Sequence, residues 1–249
     1  MKIIVNGKLY NANDPIATIT DRGLLLGDGL FETLRVDNNT IQYAEKHFNR
    51  LQKSAKIFSI PLPFSYPQML HMMKTLLKEN GLSNASIRLT LTRGPGPRGI
   101  LPPEKMIPQY FIAAQELLTA FNTSTAILVD HIRRNEYSPT SQHKTLNYFD
   151  NIVAAQYAKE KGAQFAILKN TKANIACAHC ANIFLNIDGK IYTPRTDDGA
   201  LPGIIRSNII ETENITCRTL PASSLKDAQH IFLTNSLMNK VSVDLIDAC

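Results

Sequence analysis

The apolar residues of this chain change repeatedly between the spacing of a strand and the spacing of a helix, and this alternation restricts the fold more than any other feature. The segment KIIVNGKLY has apolar residues on both sides of Asn6-Gly7, a dipeptide typical of a tight hairpin turn. Residues 44–58 and 66–80 have helical spacing, whereas SIRLTLTRG and QYFIAAQ alternate as strands do. In the second helix, Gly81 predicts the end and the spacing points four side chains inward: Met69, Met73, Leu76 and Leu77. The sequence therefore predicts an α+β or α/β architecture.

A composition change near ELLTAFNTST divides the chain into two parts. The sequence turns polar there, and a new series of strands and helices begins with AILVDHI. We place an N-terminal α/β domain at residues 1–116, a linker at 117–122 and a C-terminal domain at 123–249. A chain of 249 residues is long enough to bury a substantial core.

The net charge of +6 favours an anionic partner. Lys and Arg are scattered, and the sequence contains no RNA-binding, zinc-finger or recognition-helix motif, so we expect a small anionic ligand and no nucleic acid. It also contains no signal-peptide core, no run of 18 apolar residues and no disulfide framework among its four cysteines. These features predict a cytoplasmic protein that does not bind a membrane.

Lys144 is the first candidate for a chemical role. It lies between a loop rich in Ser and Pro and an amphipathic segment, in RRNEYSPTSQHKTLNYFDN. A lysine amine that loses its hydration becomes a nucleophile able to form an imine with an aldehyde. Taken alone, Lys144 is better explained as a solvated lysine at the start of a helix.

Ordered sequence blocks reverse that interpretation: DRGLLLGDGLFETLRV, HFNRLQKSA, HKTLNYFDNIVA, ANIFLNIDGKIYTPRTDDGALPGIIR and FLTNSLM. Together they resemble the class IV pyridoxal-phosphate enzymes, which include branched-chain and D-amino-acid aminotransferases and aminodeoxychorismate lyase. The resemblance covers nearly the whole chain. It implies the two-domain fold of D-amino-acid aminotransferase, pyridoxal 5'-phosphate bound between the domains, and a homodimer in which a loop of the neighbour helps to close the site.

The resemblance also implies how the cofactor is held. Lys144 would form the Schiff base with its aldehyde and later carry a proton, and Arg50 would bind its phosphate. The segment LPGIIR would bind the same phosphate through the backbone N–H groups of Ile204 and Ile205 at a helix N-terminus. Many relatives have a threonine at the second position, whereas Ile205 adds no hydroxyl. Ser236 would add a hydroxyl that contacts the same phosphate. For Arg50, the weaker alternative is an arginine on the protein surface.

The segments GDGLFETLRV, TRGPGPRG and TNSLM look closest to aminodeoxychorismate lyase, which forms 4-aminobenzoate and pyruvate. Arg98 matches an arginine that meets substrate carboxylate in lyases and in D-amino-acid aminotransferases. The aminotransferases add a histidine and a tyrosine where this chain has Ile100 and Phe31, which counts against them. Lyases often have a tyrosine at the place of Ile100, so this position fits neither pattern. Thr33 is a further candidate for guiding the substrate or a proton.

The strand before Asn182 lacks an acid that the family carries. A glutamate five residues before this asparagine keeps the pyridine nitrogen protonated in relatives, and here that position is Cys177. A thiol near neutral pH is a weak donor and mostly uncharged. Tyr148 falls close to the place of a tyrosine that contacts the phenolic oxygen of the cofactor, with a spacing from the lysine that differs by one. Packing of Tyr148 against the core is an equal alternative.

The segment CAHC could also indicate a metal site or a redox pair. On a strand, Cys177 and His179 would point to one face and Cys180 to the other, and no second pair of ligands is evident. We therefore expect no metal. A redox pair is less favoured still, because the motif does not lie at a helix N-terminus.

The sequence leaves three functional hypotheses. The first is a lyase that makes 4-aminobenzoate for folate synthesis, and the second is a branched-chain or D-amino-acid aminotransferase. The third is a cofactor-binding relative with weak or no catalysis because of Cys177.

Overall fold

The computed structural model describes residues 1–117 and 123–246. The chain divides into two compact units, Met1–Leu118 with Lys144–Asn147 and Thr119–His143 with Tyr148–Cys249. The linker predicted at 117–122 lies outside the described residues except for Leu117. None of the helices in the described part has the length and apolar content needed to span a bilayer.

The first unit contains an antiparallel sheet with two long helices. Its elements are β1 (Lys2–Val5), β2 (Lys8–Asn11), α1 (Arg22–Leu26), β3 (Gly29–Asp37), β4 (Thr40–Ile41), α2 (Ala44–Ile57), α3 (Tyr66–Asn80), β5 (Ala85–Thr92) and β6 (Gln109–Glu116). The strand order is β2-β1-β6-β5-β3-β4, and every neighbouring pair is antiparallel.

Turn and cap residues set the ends of these elements, and the Asn6-Gly7 turn and the Gly81 helix end were predicted from the sequence. Asn6 and Gly7 have φ values of 49° and 82° and join β1 to β2, as a type I′ hairpin requires. Gln68 accepts a hydrogen bond from the Ser65 N–H at 2.8 Å ahead of α3. Gly81 ends α3 in the left-handed conformation, with φ of 65°.

The two helices cover one face of the sheet because each has an apolar stripe. The side chains predicted to point inward from α3 are buried: Met69, Met73, Leu76 and Leu77. They pack with Leu51 of α2 and with Leu34 of β3 in one apolar cluster. Alternation along β3 therefore directs Phe31 and Thr33 to the other face of the sheet.

Lys144–Asn147 packs in the first unit, although the sequence places Lys144 in the C-terminal domain. Thr145 forms an isolated bridge with Leu30, and the Leu146 N–H donates to Gly29 O at 3.0 Å. A Cβ on Gly29 would lie 2.5 Å from Leu91 O and 2.7 Å from Leu146 Cδ1, so a side chain there would displace the segment. Backbone pairing with β3, distant in sequence, decides this placement.

The second unit is a mixed sheet with helices packed on it. Its elements are β7 (Thr123–Arg134), α4 (Phe149–Glu160), β8 (Phe165–Asn170), β9 (Ile175–Ala178), β10 (Asn182–Ile187), β11 (Lys190–Thr193), a 3₁₀ turn (Thr196–Asp198), α5 (Ile204–Thr212), β12 (Ile215–Cys217), α6 (Ser224–Asp227), β13 (His230–Asn235) and β14 (Asn239–Leu245). The strand order is β12-β11-β10-β13-β14-β7-β8-β9. Strand β7 runs parallel to β8 and β14, with α4 packed against β7 and β8.

Candidate active site

Lys144 is held in an extended segment beside β3, ahead of α4. Its carbonyl accepts a hydrogen bond from the Phe31 N–H at 2.9 Å. Its Nζ lies 4.3 Å from the centroid of the Phe31 ring. The side chain is half-buried, so the amine is partly shielded from water and is not a freely solvated lysine at the start of a helix.

The Phe31 ring brings a second cation close to Lys144. Arg88 Cζ lies 3.8 Å from the ring centroid, a distance typical of a cation–π contact. Arg88 lies on β5 directly opposite Thr33 and on the same sheet face as Phe31. It is exposed, and its Nε donates to Thr90 Oγ1 at 3.3 Å. Two cations that share one ring create a position where a carboxylate is electrostatically favoured.

Arg88 is a candidate that the sequence reasoning missed. The alternation in SIRLTLT does predict that Arg88 points away from the core, because Ile87 and Leu89 point into it. The β3–β5 register, with Phe31 opposite Thr90 and Thr33 opposite Arg88, is what brings the arginine to the ring.

Arg50 belongs to a buried ionic network on the opposite face of the same sheet. Its Nε and Nη2 donate to the Glu32 carboxylate at 2.8 and 2.6 Å, and His47 Nδ1 lies 2.6 Å from Glu32 Oε2. Glu32 is 1% exposed. Burial alone would raise its pKa, but the Arg50 charge and the hydrogen bonds from Arg50 and His47 lower the pKa to about 2.

This network changes the interpretation of Arg50. Its side chain is only 11% exposed and its guanidinium is oriented by a buried carboxylate, so it is not the surface arginine of the alternative hypothesis. His47 and Arg50 share one face of α2, so the sequence gives a signal for half of this network. The sequence does not point to Glu32 as their partner, because this residue occupies a core-facing strand position normally given to an apolar residue. The phosphate-binding role of Arg50 stays a prediction.

Arg98 and Ile100 lie in an exposed loop of the first unit. Arg22, which is 3% exposed, anchors the loop by donating to Gly99 O at 3.0 Å and Ile100 O at 2.6 Å. The same guanidinium pairs with Asp28 at 2.8 Å. The Ile100 side chain is 84% exposed. The backbone of the loop is therefore fixed while the Arg98 side chain points to solvent, and its role with substrate stays a prediction.

In the second unit, the predicted phosphate-binding segment forms the start of α5. Gly203 is the N-cap and provides no side-chain hydrogen bond to the helix. The N–H groups of the first helical turn have no acceptor within the helix, and these include those of Ile204 and Ile205. Both isoleucine side chains are buried, each 7% exposed. An uncapped helix N-terminus that is largely withdrawn from water suits an anion.

Asn182 determines the path of this segment. Its Nδ2 donates to Leu201 O at 2.9 Å, and a Cβ on Gly203 would lie only 2.0 Å from its Oδ1. The glycine is therefore required by the close approach of Asn182. Thr234 is directly opposite Asn182 across the strands, and its buried Oγ1 has no hydrogen-bond partner in the described part of the chain.

Ser236 lies in the turn that follows β13. Asn235 shapes this turn, because its Oδ1 accepts from the N–H groups of Leu237 at 2.9 Å and Met238 at 3.0 Å. Ser236 is half-buried, and Tyr148 forms the N-cap of α4. The phosphate role of Ser236 and both alternatives for Tyr148 stay predictions.

Cys177 lies on β9, opposite Leu168, and is 7% exposed. It belongs to an apolar cluster that includes Ala154 and Ala158 of α4. Burial raises the pKa of the Cys177 thiol, against the opposing charge of Arg134. The thiol is therefore neutral at neutral pH and does not supply the negative charge of a glutamate.

His179 has a structural role. Strand β9 ends at Ala178, so the predicted alternation does not extend to His179. Its Nδ1 accepts a hydrogen bond from the Ala166 N–H at 3.2 Å, and its carbonyl accepts one from Asn151 Nδ2. Burial lowers the pKa of its imidazole, consistent with a neutral ring that connects the turn to β8.

Comparisons with known proteins show which family this chain resembles. The family described as Amino-transferase class IV matches residues 29–246. A provisionally named branched-chain-amino-acid aminotransferase of Methanocaldococcus jannaschii is 31% identical over 99% of this chain and 88% of that protein. D-alanine aminotransferase of Staphylococcus epidermidis is 26% identical over 99% of this chain and 89% of that protein.

A solved structure has a similar fold over most of the chain. A provisionally named 4-amino-4-deoxychorismate lyase of Legionella pneumophila has a TM-score of 0.86 at 30% identity, over 94% of this chain and 88% of that chain. The predicted fold and cofactor are confirmed. The chain belongs to the class IV aminotransferase family, and it is an enzyme of the pyridoxal-phosphate-dependent fold that this family shares.

Proposed function

We propose that this chain is a pyridoxal-phosphate-dependent lyase that converts 4-amino-4-deoxychorismate into 4-aminobenzoate and pyruvate. The observation that carries the proposal is the shared contact of Lys144 and Arg88 with Phe31, at 4.3 and 3.8 Å from the ring centroid. An amine able to bond the cofactor and a guanidinium able to bind a carboxylate then lie on one aromatic ring. This arrangement suits a substrate that carries both an amine and carboxylates.

The residues present fit the phosphate and the aldehyde of the cofactor. The uncapped start of α5 would bind the phosphate. The Thr234 hydroxyl, which has no hydrogen-bond partner within residues 1–117 and 123–246, lies opposite the asparagine that fixes this segment. Lys144 would hold the aldehyde through its Nζ. The residues present fit the ring nitrogen of the cofactor poorly, because the Cys177 thiol is neutral. When bound, pyridoxal phosphate withdraws electrons from the carbon that carries the substrate amine.

The protein side chains would then perform binding and proton transfer. Arg88 would fix a substrate carboxylate with two N–H donors, and Phe31 would shield the Lys144 amine from water. Lys144 Nζ would take the proton from the substrate carbon and return it when the product forms. Thr33, which lies opposite Arg88 on the same sheet face, would guide the substrate. Arg98 would meet the second carboxylate of this dicarboxylate substrate.

Phe31 favours the lyase over a D-amino-acid aminotransferase, because it has no hydroxyl to bind a carboxylate. Ile100, whose exposed side chain offers no hydrogen-bond donor, counts against the aminotransferase but does not match a lyase either. The Legionella pneumophila relative, provisionally named a lyase, supports the same choice at 30% identity.

An aminotransferase is the second candidate. The Methanocaldococcus jannaschii and Staphylococcus epidermidis relatives bear aminotransferase names at 31% and 26% identity. The pair of Lys144 and Arg88 suits an amino acid substrate as well, because an amino acid also joins an amine to a carboxylate.

Product analysis separates these functions. The purified holoenzyme is given aminodeoxychorismate without a keto acid, and 4-aminobenzoate and pyruvate are both measured, with Lys144→Ala as the inactive control. Equal amounts of the two products support the lyase. Product that requires a keto acid, together with amination of that acid, identifies an aminotransferase. Bound cofactor with neither reaction identifies a binding relative, as the Cys177 substitution would allow.

We also propose that the protein is a homodimer. Three leucines of α1 are exposed although they are apolar: Leu24 at 68%, Leu25 at 61% and Leu26 at 47%. Such a patch on one helical turn is typical of a protein contact surface. Light scattering should give twice the 27.7 kDa chain mass. Leu25→Glu should shift the mass toward the monomer, whereas Leu9→Glu, at an exposed leucine of edge strand β2, should not.

A further inference from the structure

Arg206 is a buried cation with no acidic partner among the described residues. It is the third residue of α5 and is 6% exposed. Its Nη2 donates to Pro194 O at 2.9 Å and to Cys217 Sγ at 3.5 Å. Its Nε is buried without a hydrogen-bond partner, and no carboxylate of the described residues lies within ion-pair distance of its guanidinium.

This environment leaves a positive charge uncompensated. A buried charge is costly unless it is paired and hydrogen-bonded. The position of Arg206 in the first turn of α5 adds to the cost, because the helix dipole is positive at that end. Burial lowers the pKa of Arg206, and the Cys217 sulfur opposes that shift. The site beside the guanidinium is therefore one where an anion is favoured.

Cys217 makes this site accessible from solvent. It is the last residue of β12, an edge strand that pairs in parallel with β11, and it is exposed. A reagent can thus reach a sulfur that lies 3.5 Å from the guanidinium. The combination of an accessible sulfur and an adjacent buried cation with an orphaned donor distinguishes Cys217 from a lone surface thiol.

We propose that Cys217 is a modification site for small disulfides that carry carboxylates, with Arg206 binding the carboxylate of the incoming group. The Cys217 sulfur attacks one sulfur of the reagent and forms a new S–S bond, while the S–S bond of the reagent breaks. The departing sulfur takes up the thiol proton and leaves as a free thiol. The disulfide is the oxidant, and Cys217 is oxidised to a mixed disulfide.

The site is independent of the proposed lyase activity, and only its consequence for the cofactor depends on that activity. Modification would replace the contact between Arg206 and the Cys217 sulfur by a guanidinium–carboxylate pair. Because Arg206 belongs to the first turn of α5, this change would reach the segment proposed to bind phosphate.

The test compares reagents of different charge on two single-cysteine proteins. One keeps only Cys217 and the other keeps only Cys180, which is also exposed; the remaining cysteines are changed to Ala. Rates are measured with the dianionic 5,5'-dithiobis(2-nitrobenzoate) and with neutral 4,4'-dithiodipyridine. We expect the anionic-to-neutral rate ratio to be about tenfold higher at Cys217 than at Cys180, since the Arg206 guanidinium lies beside the Cys217 sulfur. Added salt should reduce the difference.

Equal ratios at the two cysteines, or no reaction at Cys217, would overturn the proposal. Arg206→Gln in the protein that keeps only Cys217 should lower its ratio to that of Cys180. If this variant does not fold, the comparison of the two reagents on the two single-cysteine proteins with Arg206 intact still decides the question. Peptide mass spectrometry after treatment with oxidised glutathione should locate the mixed disulfide on Cys217.

Discussion

Glu32 accepts two hydrogen bonds from Arg50, from Nε at 2.8 Å and from Nη2 at 2.6 Å. This two-point contact fixes the plane of the guanidinium. It also joins β3 to α2 through charged groups within an otherwise apolar layer. The position of Arg50 therefore depends on the ionisation of Glu32.

Stability should fall in acid partly because of Glu32. Its pKa is lowered from 4.5 to about 2, so its stabilising contribution is complete above about pH 5 and is lost as pH falls toward 2. The shift corresponds to about 3 kcal/mol in all. Urea unfolding at pH 7 and pH 3 measures the loss. Glu32→Gln should be less stable at pH 7 and should lose less between the two pH values; an unchanged pH dependence would contradict the assignment.

Arg50→Ala should weaken cofactor binding by about 2–3 kcal/mol, because a charge-assisted contact to the phosphate is lost and the buried Glu32 loses its guanidinium partner. Arg35→Ala is the matched control, since Arg35 forms an ion pair with Asp37 at 2.8 Å but is more exposed. It should change stability by less than about 1 kcal/mol and leave cofactor affinity unchanged. Fluorescence titration with pyridoxal phosphate measures the cofactor affinity of both variants. Equal affinities for Arg50→Ala and the parent would remove Arg50 from the site.

Borohydride reduction of the holoenzyme should attach the cofactor to Lys144. Lys144 is half-buried and its Nζ lies beside the Phe31 ring, and partial dehydration favours an amine able to form an imine. Peptide mapping locates the label, which Lys144→Ala should abolish. Lys159→Ala, at a lysine near the end of α4, should keep it. A label on Lys159, Lys161 or Lys169 would refute the assignment.

Arg88→Ala should raise KM for a carboxylate substrate by about 10- to 100-fold, because a hydrogen bond to a charged group contributes about 1.5–3 kcal/mol. Arg88→Lys should recover part of the loss, since it keeps the charge without the planar pair of donors. Steady-state kinetics of both variants decide the point. If Arg88→Ala changes KM no more than Arg35→Ala does, Arg88 has no role in binding the carboxylate.

Cys177→Glu should raise turnover if residue 177 faces the pyridine nitrogen, because a carboxylate there favours the protonated ring. Each 1.36 kcal/mol recovered corresponds to about tenfold in rate. Cys177→Gln is the matched control, with similar size and no charge. Turnover and melting temperature are compared with cofactor bound. Lower stability in both variants without a gain for Glu would mean that Cys177 only packs against α4.

Local patterns in the sequence were enough to predict the turns, the two long helices and the fold class. Asn6-Gly7 and Gly81 adopt left-handed conformations, as their residue types favour. The four α3 side chains predicted to be buried are buried. Such features depend on neighbours a few residues away, so a linear pattern contains them. The segment LPGIIR was predictable for the same reason, because an N-cap and a first helical turn are local.

The sequence by itself therefore determined the elements and the family, and it predicted Lys144 as the lysine that would bond the cofactor. Tertiary structure alone decided that Lys144 packs beside β3, that Arg88 reaches Phe31, and that Glu32 orients Arg50. The first depends on the Leu30–Thr145 bridge, the second on the β3–β5 register, and the third on the packing of α2 over the sheet. Each contact joins residues that are distant along the chain, and a strand pattern does not specify the register of its partner.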